Sequence, residues 1–185
     1  MWPWGHLAVG YLAYTAAVHL RERRAPDGFA TVALAFGTQF PDLVDKPLAW
    51  TFGVIPNGRS LTHSLLTAVL VVAAVEWLLR RRQYGRVATA FAVGYLSHLF
   101  GDALYPLLSR DFSSLAFLAW PVAPPVEYET EPSFAAHLAQ LSLDSFVTFE
   151  AGLGALVFVV WLADGAPGAG VLAAVPRWLS RKFSI

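Results

Sequence analysis

No cysteine occurs anywhere in the 185 residues. That excludes a disulfide framework and thiolate ligation, so any metal must be held by His, Asp and Glu. Charge is also scarce. Lys, Arg, Asp and Glu make up 14% of the chain, against roughly 25% in soluble domains. A soluble fold of this size needs more polar surface than that. Basic and acidic residues cancel, 13 against 13, which leaves no excess of positive charge for nucleic acid. The opening stretch MWPWGHLAVG has no Lys or Arg and does not read as a signal peptide with a basic start. Internal repeats and low-complexity segments are absent.

What is present is apolar. Hydrophobic residues make up 56% and the mean hydropathy is +0.51, which points to a membrane protein. A spanning helix needs ~20 mostly apolar residues. Five runs qualify as candidates: Trp4–Leu20, Gly28–Phe40, Leu61–Leu79, Arg86–Leu108 and Phe146–Ala163. The second is short. It can extend back to Pro26 and forward towards Val44, or be a helix buried by its neighbours. The expected fold is all-α, a polytopic membrane bundle of about five transmembrane helices in a single domain, residues 1–185. Residues 109–145 form an outer loop region, and 146–185 the last span and a basic tail.

Positive charge orients the bundle. Arg21, Arg23 and Arg24 follow the first run, Arg80–Arg82 and Arg86 the third, and Arg177, Arg181 and Lys182 the fifth. The other loops carry only Lys46, Arg59 and Arg110. The positive-inside rule then sets the N-terminus outside, five crossings, and the C-terminus in the cytoplasm. A re-entrant second run would instead put RERR and RRRQYGR on opposite sides. Trp2, Trp4, Trp50 and Trp120 fall at the outer interface, and Trp77, Trp161 and Trp178 at the inner one. The tail VPRWLSRKFSI alternates basic and apolar residues, as an amphipathic segment on the inner surface does.

Ionisable residues in membrane segments are expensive and mark function. Here they are His6, Asp42, Asp45, His63, His98 and Asp102, and the topology brings all of them to the outer end. Their chemistry suits zinc, or manganese. His98 and Asp102 are four apart and share a helix face; the alternative for that pair is an Asp orienting a buried His. Asp42 is the expected ligand of its pair, aimed by a helix end at Pro41. Asp45 is a second ligand, a partner for Lys46, or the general base. His19 lies roughly 20 Å along the helix from His6 and is excluded. His137 belongs to the outer loop and reads as a surface histidine. The third helix starts outside, with Ser60 as its expected N-cap. Its free N–H groups and Arg59 favour an anion, phosphate above all. A snorkelling arginine is the alternative for Arg59.

Four motifs stand in order: GHLAVGY, FGTQFPDLVDKP, RSLTHSLL and GYLSHLFGDALYP. Over about residues 5–108 they resemble the family of membrane-bound metal-dependent hydrolases, which includes a LexA-regulated bacterial inner-membrane protein and many archaeal members. That family is distantly similar to zinc-dependent phospholipase C, an all-helical hydrolase. The resemblance implies that His6, Asp42, His63, His98 and Asp102 bind metal and that Arg59 belongs to the site. The last third departs from it. VEYETEPSFAAHLAQLSLDSF matches no motif, and no spacing singles out Glu127, Glu129, Glu131, His137, Asp144 or Glu150 as a further ligand. The acidic run reads as a solvated loop.

The expected function is metal-dependent hydrolysis of a phosphoester, such as a phospholipid or lipid-linked phosphate, at the outer membrane face. Two alternatives come from other classes. A cation or proton transporter needs polar groups through both halves of the bundle, and the inner halves read as apolar: TAVLVVAAVEWLL holds only Glu76. A structural membrane protein needs a closed metal site with no open position.

Overall fold

Helix starts follow from local chemistry in the computed structural model, which describes residues 1–125, 133–139, 141–142 and 144–174. Helix α1 (Pro3–Glu22) opens on a proline, whose missing N–H is no loss in a first turn. Helix α2 (Gly28–Trp50) is capped by Asp27, which accepts from the Ala30 amide at 2.8 Å. Helix α3 (Leu65–Arg81) is capped by Ser64, and α4 (Gly85–Ser109) ends at Arg110 in the left-handed region. A 3₁₀ segment (Phe112–Ala119) and the short α5 (Phe134–Ala139) follow. Helix α6 (Ser145–Ala163) is capped by Asp144 through the Val147 amide. No strand occurs among the described residues, so the fold is all-α as expected. The run Glu127, Glu129 and Glu131 and the basic tail from Val175 lie outside the described residues.

Two expected boundaries are corrected. Helix α2 does not stop at Pro41; it carries both Pro41 and Pro47 and reaches Trp50. Its 23 residues give about 35 Å of length, so the second run is not short. Helix α3 begins at Leu65 rather than Leu61, with Ser64 and not Ser60 as the N-cap. The reason is a competitor for the preceding amides, described below. His63 therefore sits before the helix rather than in its first turn.

Helices α2 and α4 cross with their backbones in contact. A Cβ on Gly94 would lie 2.4 Å from the Leu34 carbonyl oxygen, and one on Gly37 2.5 Å from that of Phe91. Neither neighbour is a side chain that can swing away. Small residues at such crossings are how apolar helices approach closely. Helix α1 lies across both, and its inner face joins Ala8, Tyr11 and Tyr14 to Leu34, Ala90 and Val157. Helix α3 packs Ala68 against Phe91, Tyr95 and Leu99 of α4.

Polar contacts fix the helix directions. Arg86 at the start of α4 pairs with Glu22 at the end of α1, at 3.0 Å. Asp164, just beyond α6, accepts from Tyr11 Oη and Thr15 Oγ1, each at 2.7 Å, and pairs with His19 at 2.7 Å. The sequences RERR and RRRQYGR thus share one end of the bundle. The Asp164 cluster adds further polar groups to an inner half expected to be almost wholly apolar. Its α1 members recur every four residues on one face, and their partner is far away in the chain. His19 is held there, away from His6.

Large apolar side chains face outward: Leu66, Val69 and Leu70 on α3, and Phe149, Val159 and Leu162 on α6. Such contiguous exposure marks a surface meant for lipid or a partner. Among the described residues two helices, α4 and α6, are both long and apolar enough to cross a membrane.

Gly94→Ala is expected to force α2 and α4 apart at a cost of about 1–3 kcal/mol. The measurement is thermal unfolding in detergent. A Tm equal to that of the wild type contradicts the close crossing.

Candidate metal centre

The segment before α3 wraps a carboxylate. Asp45, fully buried on α2, accepts from the Ser60 amide at 3.0 Å, the Thr62 amide at 2.9 Å and Thr62 Oγ1 at 2.6 Å. It also accepts from the His63 amide at 3.3 Å and His63 Nδ1 at 2.8 Å. Successive backbone N–H groups make an anion-binding concavity, and here the anion is the chain's own. Two expectations change. The N–H groups expected to cradle phosphate are already occupied. Asp45 has no lone pair left for a general base or a metal, and Lys46 pairs with Asp42 instead. It is a positioning residue. Tyr95 completes the wrap by donating to the Thr62 carbonyl at 2.6 Å.

Hydrogen bonds then fix two histidine tautomers. A carboxylate only accepts, so His63 Nδ1 carries a proton, and in the neutral ring Nε2 is then bare. His98 Nδ1 lies 2.7 Å from the Thr38 carbonyl, which also only accepts, so His98 Nε2 is bare as well. The two bare nitrogens face each other at 3.1 Å. Asp42 Oδ1 stands 3.6 Å and 3.9 Å from these nitrogens. Asp102 Oδ2 stands 3.6 Å and 3.8 Å from them. A tetrahedral zinc with bonds of 2.0–2.1 Å has ligand–ligand edges of about 3.3–3.4 Å. The observed separations bracket that value.

Each of these four groups has an outer partner that aims it. Asp45 holds His63 and the Thr38 carbonyl holds His98. Lys46 pairs with Asp42 Oδ2 at 2.7 Å, and Arg59 Nε with Asp102 Oδ2 at 2.9 Å. Metal ligands are oriented in this way. The Met1 amino group adds a contact to Asp102 Oδ1 at 2.8 Å. Arg59 was expected beside a helix N-terminus; instead its guanidinium neutralises Asp102 at the rim of the cluster.

His6 joins from α1. Its ring stacks on His98 with centroids 3.7 Å apart, and its Nε2 lies 3.3 Å from Asp102 Oδ1. It is fully buried; among the described residues its Nδ1 has no hydrogen-bond partner, and its Nε2 has only the Asp102 contact, outside good hydrogen-bond geometry. A buried polar group without a partner needs an explanation. Two triads, His6–His98–Asp102 and Asp42–His63–His98, are close enough to hold a metal ion. They share the single free nitrogen of His98, which serves one metal at a time.

A cavity of about 350 Å³ borders the cluster at Asp102 and Arg59, with Tyr105, Asp111, Ser114 and Asp144 on its walls. On that wall the Ser113 and Ser114 hydroxyls hold the Asp111 carboxyl below its ordinary pKa. Asp102 and Arg59 form the cluster's edge towards this cavity, while His6, His63 and His98 are fully buried.

Other residues weighed in the sequence lie elsewhere. His137 rests on the rings of Trp2 and Trp50, with centroids 4.9 and 5.4 Å away. Asp144 caps α6. Glu150 is fully buried and accepts from the Trp2 amide at 2.9 Å, so it fixes the approach to α1. Its visible signal was a lone carboxylate in an apolar run. Thr38 and Tyr95 carried none beyond their helix faces.

The fold and the cluster define a helical membrane protein with a buried His/Asp centre that borders a cavity. Residues 1–175 match the model of the YdjM inner membrane protein family, and the chain belongs to that family. Its place is accordingly the membrane, in contact with the lipid bilayer. No curated protein and no solved structure matches the chain.

Asp45→Asn places an amide NH₂ among donors that need an acceptor. It is expected to cost about 1–3 kcal/mol, against about 1 kcal/mol for Thr62→Val. Unfolding in mixed micelles compares them. An Asp45→Asn variant no less stable than Thr62→Val contradicts the role given to Asp45.

Proposed function

We propose that this chain is a multi-pass inner-membrane metal-dependent hydrolase with one catalytic centre at its outer end. The observation that carries the reading is the pair of Nε2 atoms, on His63 and His98, facing each other at 3.1 Å beside two carboxylate oxygens; in the neutral rings both are bare. Lone pairs at that distance repel unless a cation lies between them. A proton would serve the two nitrogens alone. A divalent metal also takes Asp42 Oδ1 and Asp102 Oδ2, and His6 stands ready as a further donor. The all-nitrogen-and-oxygen donor set suits zinc, with manganese as the alternative. When bound, such a metal supplies Lewis acidity and a water acidified to a pKa near 7.

The protein's own residues do the rest. Asp45, Thr38, Lys46 and Arg59 hold the ligands in place. The cavity beside Asp102 admits substrate and water, which speaks against a closed structural staple. The phosphoester class rests on the family resemblance and, given the five-crossing topology, on a cavity at the outer end of the bundle. The wrapped loop no longer speaks for it, because Asp45 fills its N–H groups. Arg59 is the cation at the cavity wall nearest to an incoming anion.

Five crossings with the N-terminus outside remain the proposed topology. The Arg86–Glu22 pair supports it, because it sets both basic clusters at one end, where the positive-inside rule wants them. The Asp164 cluster at that same end favours a second reading, transport of a cation or proton. Between the two clusters, however, the helices are closed by Gly10 packed on Thr38 and Ser97.

Two experiments test these statements. Zinc-loaded wild type is expected to hydrolyse bis(p-nitrophenyl) phosphate, and His63→Ala and Asp42→Asn to lose at least about 100-fold in kcat/KM, the loss expected when a metal-supplied nucleophile goes. Equal rates in all three exclude the catalytic assignment. For topology, Val54→Cys and Arg82→Cys are expected to react with an impermeant maleimide from opposite sides. Both positions are exposed, unlike Ser60, which is fully buried. Reaction from the same side contradicts the five-crossing arrangement.

A further inference from the structure

A second concavity lies outside the metal centre. A groove of about 700 Å³ runs between α1, α2 and α6. Trp4 and Leu7 border it at the end that carries His6, and Trp161 and Leu172 at the basic end. Its polar wall residues, Tyr11 and Thr31, turn their hydroxyls away: Tyr11 donates to Asp164 and Thr31 to the Asp27 carbonyl. The wall thus offers almost no hydrogen-bonding group to an occupant. That excludes a sugar, a nucleotide or an extended peptide, each of which would leave polar groups unpaired.

Size narrows the choice further. On α6 the wall runs from Ala151 to Trp161, roughly 15 Å along the axis. That is about half of a ~30 Å hydrocarbon core, the depth of one leaflet. An apolar slot of that depth, with no hydrogen-bonding group on its wall, suits one hydrocarbon chain of a membrane lipid; a second chain's helix in its place is an outcome that the test below distinguishes. Gly154 keeps the trough open, since a Cβ there would meet nothing within 4 Å.

We propose that this groove binds one acyl chain of a membrane lipid. As a chain-binding site it stands on the groove alone. As the tail site of the substrate, with the headgroup end towards Trp4 and His6, it rests on the hydrolase reading.

The test uses the full chain in phosphatidylethanolamine/phosphatidylglycerol nanodiscs doped with a phosphatidylcholine carrying a diazirine on its acyl chain. After irradiation, adducts are mapped by mass spectrometry. Val32 and Val157 in the groove are expected to label several-fold more than Leu66, Val69 and Leu70 on the outer face of α3. Gly154→Leu, and independently Ala151→Leu, are expected to cut groove labelling several-fold and leave α3 unchanged. His63→Ala is expected to label its groove as the wild type does, so failure of the metal reading registers separately. Equal labelling of groove and α3, undiminished groove labelling in both leucine variants, or chain-to-chain crosslinks in place of lipid adducts would overturn the proposal.

Discussion

The grip of the loop before α3 on the Asp45 carboxylate is the interaction on which the centre depends. One buried anion satisfies the amides of Ser60, Thr62 and His63, the Thr62 hydroxyl and one nitrogen of His63. These donors would otherwise be orphaned in an apolar interior, where an unmet N–H is costly. Their commitment to Asp45 delays the start of α3 to Leu65. It also turns the free nitrogen of His63 towards His98. A folding requirement and a chemical one are met by the same side chain.

The close crossing of α2 and α4 supplies the second half of the arrangement. Because Gly37 and Gly94 let the two backbones touch, the Thr38 carbonyl reaches His98 Nδ1. Asp42 on one helix and Asp102 on the other then face the same point. Gathering carboxylates and imidazoles in a membrane protein's interior costs free energy unless each is paired. Lys46 neutralises Asp42 through Oδ2 and leaves Oδ1 facing inward, and Arg59 neutralises Asp102 through Oδ2, the oxygen that also faces the two histidines. His6, whose Nδ1 has no hydrogen-bond partner among the described residues, belongs to the same unmet demand.

Much of this was legible in the sequence, for definite physical reasons. Ionisable residues inside apolar runs are conspicuous, so His6, Asp42, His63, His98 and Asp102 could be picked out, and the structure brings all five together. Charge asymmetry placed both arginine clusters at one end, where the Arg86–Glu22 pair now joins them. What stayed hidden was long-range hydrogen bonding. Leu61–Leu79 reads as one continuous helix, and nothing local shows that a carboxylate 18 residues before His63 claims the amides at its start. Pro41 looked like a helix end because proline usually is one. Asp164 meets His19 across 145 residues, and Glu150 meets Trp2 across 148; separations of that size leave no trace in periodicity or spacing.

Metal analysis of the protein, purified without chelator and followed by X-ray absorption at the metal edge, bears most directly on the centre. A stoichiometric zinc or manganese with at least two imidazole ligands is the expected result, and it should be weakened by Asp45→Asn about 10–100-fold in affinity, as for other outer-shell partners. A chain that holds no metal as isolated, and takes up none on reconstitution, would contradict the reading of the cluster as a metal centre.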